Sequence, residues 1–247
     1  MLNNRTILVT GGLGRLGRPL VSHLSDLGAK VVLTTRSPQA ASTFNDESQH
    51  NGISATAEVL EFDSAENIIE FADHIVEKHG SIHGLVNNAY ADIPFQPTGS
   101  IAWSTWTTTM LVGVAAVETL TSALLADRQR SQLDRVVNIS SIYGQRAPHF
   151  EIYLDGQDPN PAYYGASKAA LESLTRYLAA QHGTSGVRIN AVAPGGILAG
   201  QDPAFLERYG KTAPSGRMVT AAEVAAAVSQ LLGDEVGDRN GEVITIA

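Results

Sequence analysis

Tyr164 and Lys168 stand four residues apart in Tyr164-Gly-Ala-Ser-Lys168. On a helix that spacing puts both side chains on one face. A phenol alone, with a pKa of about 10, is a poor base at neutral pH. A nearby cation favours the phenolate and lowers that value. The pair therefore suits proton transfer at an oxygen, as in carbonyl/hydroxyl interconversion. Tyr163 does not stand four residues before a lysine, so the register is unambiguous. Upstream, Val136-Val-Asn-Ile-Ser-Ser-Ile-Tyr-Gly144 reads as a strand ending in hydroxyl groups at Ser140 and Ser141. A serine hydroxyl at a strand's carboxyl end can hydrogen-bond a substrate oxygen as charge develops there.

A second constellation is Thr10-Gly-Gly-Leu-Gly-Arg-Leu-Gly17. Glycines let a backbone approach a pyrophosphate closely, and the following helix N-terminus offers N–H groups and a partial positive charge. Such a motif is informative only between a strand and a helix, which is where this one falls. Gly11, Gly14, Arg15, Leu16 and Gly17 are its candidate cofactor contacts, and a glycine turn without ligand is the alternative. At the end of the next strand the chain reads Thr34-Thr-Arg-Ser37, with no acid. Acidic residues there bind ribose hydroxyls, whereas arginine suits a 2′-phosphate. Arg36, helped by Arg15, therefore predicts NADP(H), with NAD(H) the second choice; a solvated loop arginine is the bland reading.

These residues need a scaffold. Strands are predicted at Thr6–Thr10, Lys30–Thr35, Val59–Phe62, Ile82–Val86, Arg135–Ile139, Val187–Val192 and Glu242–Ile246. Between them lie helical patterns. Leu16, Leu20, Leu24 and Leu27 share one face, as do Ile68, Ile69, Ala72, Ile75 and Val76 behind a Ser64 cap. Residues 101–126 and Ala162–His182 read as longer helices. Asp202-Pro203 opens a short helix over Ala204–Tyr209, and Thr220-Ala-Ala-Glu223 is a capping box. Alternating strands and helices, with unbroken apolar strands, predict a single-domain α/β Rossmann fold. Its sheet is doubly wound and parallel, with about seven strands and helices on both faces.

The 247 residues suit one domain, with 43% hydrophobic and 17% charged residues. Cysteine is absent, which excludes disulfides and thiolate chemistry. The net charge of −8 argues against a nucleic-acid partner. Thr6–Thr10 is too short for a signal core, and no apolar run approaches the roughly 20 residues of a membrane span. A cytoplasmic location without a membrane partner is expected. The histidines show no metal-ligand spacing. Trp103 and Trp106 are read as helix packing.

The pieces Thr10–Gly17, Asp63, Asn87-Asn88-Ala89, Ser141-Ile-Tyr-Gly144, Tyr164–Lys168 and Asn190-Ala-Val-Ala-Pro-Gly195 together resemble the short-chain dehydrogenase/reductase family. The resemblance runs essentially end to end. It implies hydride transfer between a nicotinamide cofactor and a small polar substrate. Tyr164 would be the proton donor/acceptor, Lys168 would hold the nicotinamide ribose and tune Tyr164, and Ser141 would orient the substrate oxygen. Asp63 and Ser64 would sit at the adenine. Asn88 and Ala89 would line the adenosine ribose by main chain, with Tyr90 next to them. Pro194, Gly195 and Ile197 would contact the nicotinamide. Members commonly form homodimers or homotetramers, here expected through 105–125 and 162–180.

The departures carry information too. Tyr90 replaces a usual glycine, and Met110 stands where an asparagine usually anchors a relay water. Ala199 replaces a usual threonine. Ser141 and Tyr164 are 23 positions apart, farther than in compact members. The extra length, Gln145–Pro161, carries Arg146, His149, Glu151, Tyr153, Asp155 and Asp158. With Tyr90, the residues Arg146, His149 and Tyr153 are candidate substrate contacts. A second excursion spans 197–216. A surface excursion without substrate is the alternative. Asn87-Asn-Ala-Tyr90, Ser140-Ser-Ile-Tyr-Gly144, Phe150-Glu-Ile-Tyr153 and Pro194-Gly-Gly-Ile197 resemble a bacterial subgroup associated with nonulosonic and other surface-sugar biosynthesis. Two rivals stand beside this reading. One is a dinucleotide-binding sensor or scaffold, motivated by Met110 and Ala199. The other is an NAD(P)-retaining sugar epimerase or dehydratase, motivated by the glycine spacing.

Overall fold

The computed structural model describes residues 1–91, 93, 101–154 and 157–247. Its order is β1 (Thr6–Val9), α1 (Gly17–Asp26), β2 (Lys30–Thr35), α2 (Pro38–Asn51), β3 (Ala55–Val59), α3 (Ala65–His79) and β4 (Gly84–Asn87). There follow α4 (Trp103–Met110), a π-helical turn (Leu111–Ala115), α5 (Ala116–Ala126), α6 (Arg128–Ser131) and β5 (Arg135–Ile139). The chain closes with α7 (Ala162–His182), β6 (Arg188–Pro194), α8 (Pro203–Thr212), α9 (Ala221–Leu232) and β7 (Val243–Ile246).

All seven strands are parallel, in the order β3-β2-β1-β4-β5-β6-β7. Both faces are covered, which is why the strands read as unbroken apolar runs. Along β1, Ile7 and Val9 pack on the side of α1 and α9, and Leu8 packs on the side of α3, α5 and α7. Along β2, Val31 and Leu33 likewise oppose Val32. Each such fully buried side chain contributes about 1.5–3 kcal/mol.

Three expectations shift. The third strand is Ala55–Val59, not Val59–Phe62. Ala55 through Val59 pair with Val31 through Thr35, and small residues suffice because α2 packs over this edge strand. Leu60, Glu61 and Phe62 instead follow the strand's carboxyl end. The helix α2 was not foreseen, since its sequence is polar and buries only Ala41 and Ser48. It is defined by its ends: Ser37 accepts from Ala40 N at 3.1 Å, Pro38 opens the first turn, and Gly52 closes it at φ 65°. Finally, the helical run Trp103–Ala126 is long and apolar enough to cross a membrane by composition, contrary to the sequence expectation. In this fold its buried face, including Leu120, Leu124 and Leu125, packs into the core beneath the sheet.

Candidate functional site

The chain runs from β1 outward to β3, then returns to place β4 on β1's other side. Such a reversal splays the connecting loops and opens a crevice at the strands' carboxyl ends. A cleft of about 1160 Å³ lies there. Every strand but β7 sends its following loop to the wall: Gly11–Gly17 after β1, Thr35 and Arg36 at β2, Leu60–Asp63 after β3, Asn88–Ala91 after β4, Ser140 and Ser141 after β5, and Gly195–Ile197 after β6.

Buried hydroxyls fix the glycine turn. Thr10 Oγ1 accepts from Asn88 N and Ala89 N, each at 3.0 Å, and Thr34 Oγ1 accepts from Gly11 N at 3.1 Å. Asn88 Nδ2 donates to Thr10 O at 2.9 Å and Gly11 O at 3.1 Å. Asn88 thus acts through its side chain on the turn as well as through its main chain. Gly11 has φ +64°, and a Cβ at Gly17 would stand 2.3 Å from Gly11 O. No side chain caps α1, and its first turn carries no acid. An open cradle of N–H groups with Arg15 beside it fits a dinucleotide pyrophosphate. Arg36 and Asp63 wall the same end of the cleft. Ser64 does not line it; its hydroxyl accepts from Asn67 N at 3.1 Å as the α3 cap.

At the other end, α7 presents Tyr164 and Lys168 one turn apart. Burial raises the Tyr164 pKa, and the Ser141 hydroxyl beside the phenol lowers it by less. The free protein therefore holds Tyr164 protonated at neutral pH. Lys168 Nζ donates to Ile139 O at 2.7 Å and lies 5.0 Å from the Tyr90 ring centroid and 5.9 Å from that of Tyr164. Burial pushes Lys168 down to about 8. Behind Ser141, Ser140 donates to Glu172 Oε1 at 2.8 Å, which also accepts from Gln145 Nε2 at 3.3 Å. This buried carboxylate on α7 ties down the loop that carries Ser141.

The outer wall comes from the two excursions, with Tyr143, Tyr153, Asp158, Asn160, Gln201, Phe205 and Tyr209 lining the cleft. Tyr209 OH accepts from Gly196 N at 2.6 Å, tying α8 to the loop after β6, and Arg208 Nε donates to Ile152 O at 2.8 Å, joining the two excursions. Of the four residues expected at substrate, Tyr90 and Tyr153 lie on the wall and Arg146 and His149 do not. His149 Nδ1 instead pairs with Glu151 Oε1 at 3.0 Å. Asp155 lies outside the described residues. On the central helical run, Thr108 and Val112 face the cleft, and Met110 does not. The π-helical turn beginning at Leu111 shifts the phase there. Trp106 packs against Tyr163 at 6.2 Å, but Trp103 is 82% exposed, contrary to the expected helix packing. No cluster of His, Cys, Asp and Glu among the described residues would hold a metal.

The family model described as "Enoyl-(Acyl carrier protein) reductase" matches residues 15–247. The chain belongs to the short-chain dehydrogenase/reductase family. Post-translational flagellin modification protein A of Campylobacter coli is 26% identical over 253 residues, spanning 100% of this chain and 98% of the relative. NAD+-bound xylitol dehydrogenase superposes with a TM-score of 0.86 at 25% identity, covering 100% of this chain and 98% of that one. A gluconate 5-dehydrogenase from Burkholderia cenocepacia, in complex with NADP and tartrate, superposes at 0.85 and 25%, covering 99% and 94%. As a short-chain dehydrogenase/reductase, this chain is an NAD(P)-dependent oxidoreductase with a nicotinamide dinucleotide cofactor. Sequence reasoning missed Thr10, Thr34 and Glu172 as supports of its site. Their only signal was polarity in otherwise apolar elements.

Proposed function

We propose that this chain is an NADP(H)-preferring oxidoreductase acting on a carbonyl or hydroxyl carbon of a small, polar, sugar-like substrate. The observation that carries the chemistry is that Ser141, Tyr164 and Lys168 line one end of the same cleft, Lys168 one turn beyond Tyr164 on α7. Arg36 at the end of β2, on an acid-free Thr34–Ser37 stretch, supports the cofactor preference. The xylitol and gluconate substrates named for the superposed structures support a polyhydroxylated class, and the flagellin-modification relative is consistent with surface-sugar chemistry.

In this reading the glycine turn and Arg15 hold the pyrophosphate, Arg36 the 2′-phosphate, Asp63 the adenosine end, and Pro194, Gly195 and Ile197 the nicotinamide end. When bound, the dinucleotide supplies the hydride position and, in its oxidised form, a positive charge. Ser141 donates to the substrate oxygen. In reduction, Tyr164 gives its phenolic proton to the nascent alkoxide; in oxidation, the phenolate takes the hydroxyl proton. Lys168, as an ammonium, holds ribose hydroxyls and opposes the burial that keeps Tyr164 protonated. Excursions 145–161 and 197–216 of this single domain set specificity. A homodimer or homotetramer is part of the reading, supported by Trp103, Leu111 and Tyr177, which are all exposed.

Screening carbonyl and polyol substrates with NADPH and NADP+ tests the proposal. Turnover that disappears in Tyr164→Phe, with cofactor binding kept, is expected. Binding without turnover on any substrate would favour the sensor or scaffold. Product formed with no net cofactor change would favour the epimerase or dehydratase.

A further inference from the structure

The charge of the cleft's substrate end is of one sign. Beyond Tyr164 the wall includes Tyr143, Tyr153, Asn160, Gln201, Phe205 and Tyr209, with Asp158 as its one acidic residue among the described residues. Asp158 is exposed at the cleft mouth and has no basic side chain within ion-pair distance among the described residues. Every cation of the two excursions stands off the wall. Arg208 donates to Ile152 O and, at 3.4 Å, to Gln157 Oε1, and its guanidinium lies 5.9 Å from the Phe205 ring centroid. Lys211 pairs with Glu207 at 2.8 Å, and Arg217, just past the second excursion, pairs with Glu223 at 2.5 Å. Arg146 is exposed away from the lining, and His149 pairs with Glu151.

The sequence closes the remaining gap. No lysine or arginine occurs between His79 and Asp127, or between Ala147 and Ser167. The loop after β4 and the whole of the first excursion beyond Arg146 therefore bring no cation to this end of the cleft. The one positive charge deeper in, Lys168, is held at Ile139 O and over Tyr90.

A carboxylate or phosphate on the substrate would meet Asp158 with no cation on the lining beyond Tyr164 among the described residues to neutralise either group, and like charges in one pocket repel. An uncharged polyol would instead offer O–H donors to the Asp158 carboxylate and C–H faces to the aromatic wall. We infer that Asp158 is a specificity-determining residue that selects uncharged or amino-bearing polyhydroxylated substrates against their carboxylate or phosphate counterparts. The inference rests on the proposed oxidoreductase function and names its substrate class.

The test uses a matched pair of equal carbon count, sorbitol and gluconate, with NADP+ at low and high salt. Wild-type protein and Asp158→Asn and Asp158→Lys variants are compared by kcat/KM, and NADPH binding is measured in parallel. Wild-type protein should favour sorbitol. The sorbitol-to-gluconate ratio should fall about three- to tenfold in Asp158→Asn and further in Asp158→Lys, with a smaller effect at high salt, as befits an exposed charge. Gluconate used as well as sorbitol by wild-type protein, or a ratio that neither variant moves, would overturn the inference and leave the oxidoreductase reading standing. No turnover of either compound or of wider polyol and carbonyl panels, with NADPH still bound, would overturn both.

Discussion

The ring of Tyr90 meets that of Tyr164 edge-on, with centroids 5.2 Å apart and planes at 74°. Its face also lies 5.0 Å from Lys168 Nζ. The residue in the family's usual glycine place thus packs on both members of the tyrosine–lysine pair. Edge-to-face and cation–π contacts of this kind contribute about 0.5–2 kcal/mol each. Tyr90→Phe keeps the ring and should leave Tm within a few degrees of wild type. Tyr90→Ala should lose about 2–3 kcal/mol and lower kcat together with Tm. Equal thermal melts for the two variants would show that the ring contacts contribute nothing.

Lys168 gives a pH dependence with a defined sign. Burial lowers its pKa from 10.5 to about 8. Between those values the unfolded chain binds more protons than the folded one, so this site's destabilising effect is full below pH 8 and is relieved as pH rises toward 10.5. Lys168→Met removes the titration. The Tm of wild-type protein relative to Lys168→Met should therefore rise across that window. NADPH affinity of the wild type should weaken above about pH 8 as the ammonium is lost. A Tm difference independent of pH would contradict the assigned burial.

The glycine turn predicts an ordered pair of defects. A Cβ at Gly17 would stand 2.3 Å from Gly11 O, whereas one at Gly14 would stand 3.2 Å from the same atom. Gly17→Ala should destabilise the protein by about 1–3 kcal/mol and weaken NADPH binding strongly. Gly14→Ala should keep most of the stability and lose affinity chiefly through the crowded cradle. Fluorescence titration alongside thermal melts separates the two effects, and the reverse order would place the tight contact elsewhere.

Arg36→Asp should invert the cofactor preference. A charge-assisted hydrogen bond is worth about 1.5–3 kcal/mol, so the NADPH-to-NADH ratio of kcat/KM should fall by at least about tenfold. An unchanged ratio would remove Arg36 from the 2′-phosphate site.

Much of this arrangement was legible in the sequence. Six of the seven strands, the span of α7 and the Thr220 capping box follow from apolar runs, helical spacing and cap chemistry, which are local properties. β3 was displaced because Val59–Phe62 has the better strand composition, yet Ala55–Val59 holds the pairing register with β2. α2 was missed because its signals lie in its caps rather than in an apolar stripe. Within the cleft, the glycine turn and the lining residues Ser141, Tyr164 and Lys168 were singled out by type, spacing and family resemblance. The support by Thr10, Thr34 and Glu172 was not, because each acts on residues more than 20 positions away. For the same reason Arg146 and His149 were expected at substrate from polarity alone, whereas packing of the two excursions leaves Tyr153 and Asp158 on the wall.

Proton transfer by Tyr164 is tested most directly by the kcat of Tyr164→Phe measured beside its NADPH affinity. The variant should lose about 10²–10⁴-fold in kcat, with the dissociation constant for NADPH nearly unchanged. Turnover close to that of wild-type protein in the Tyr164→Phe variant would contradict it.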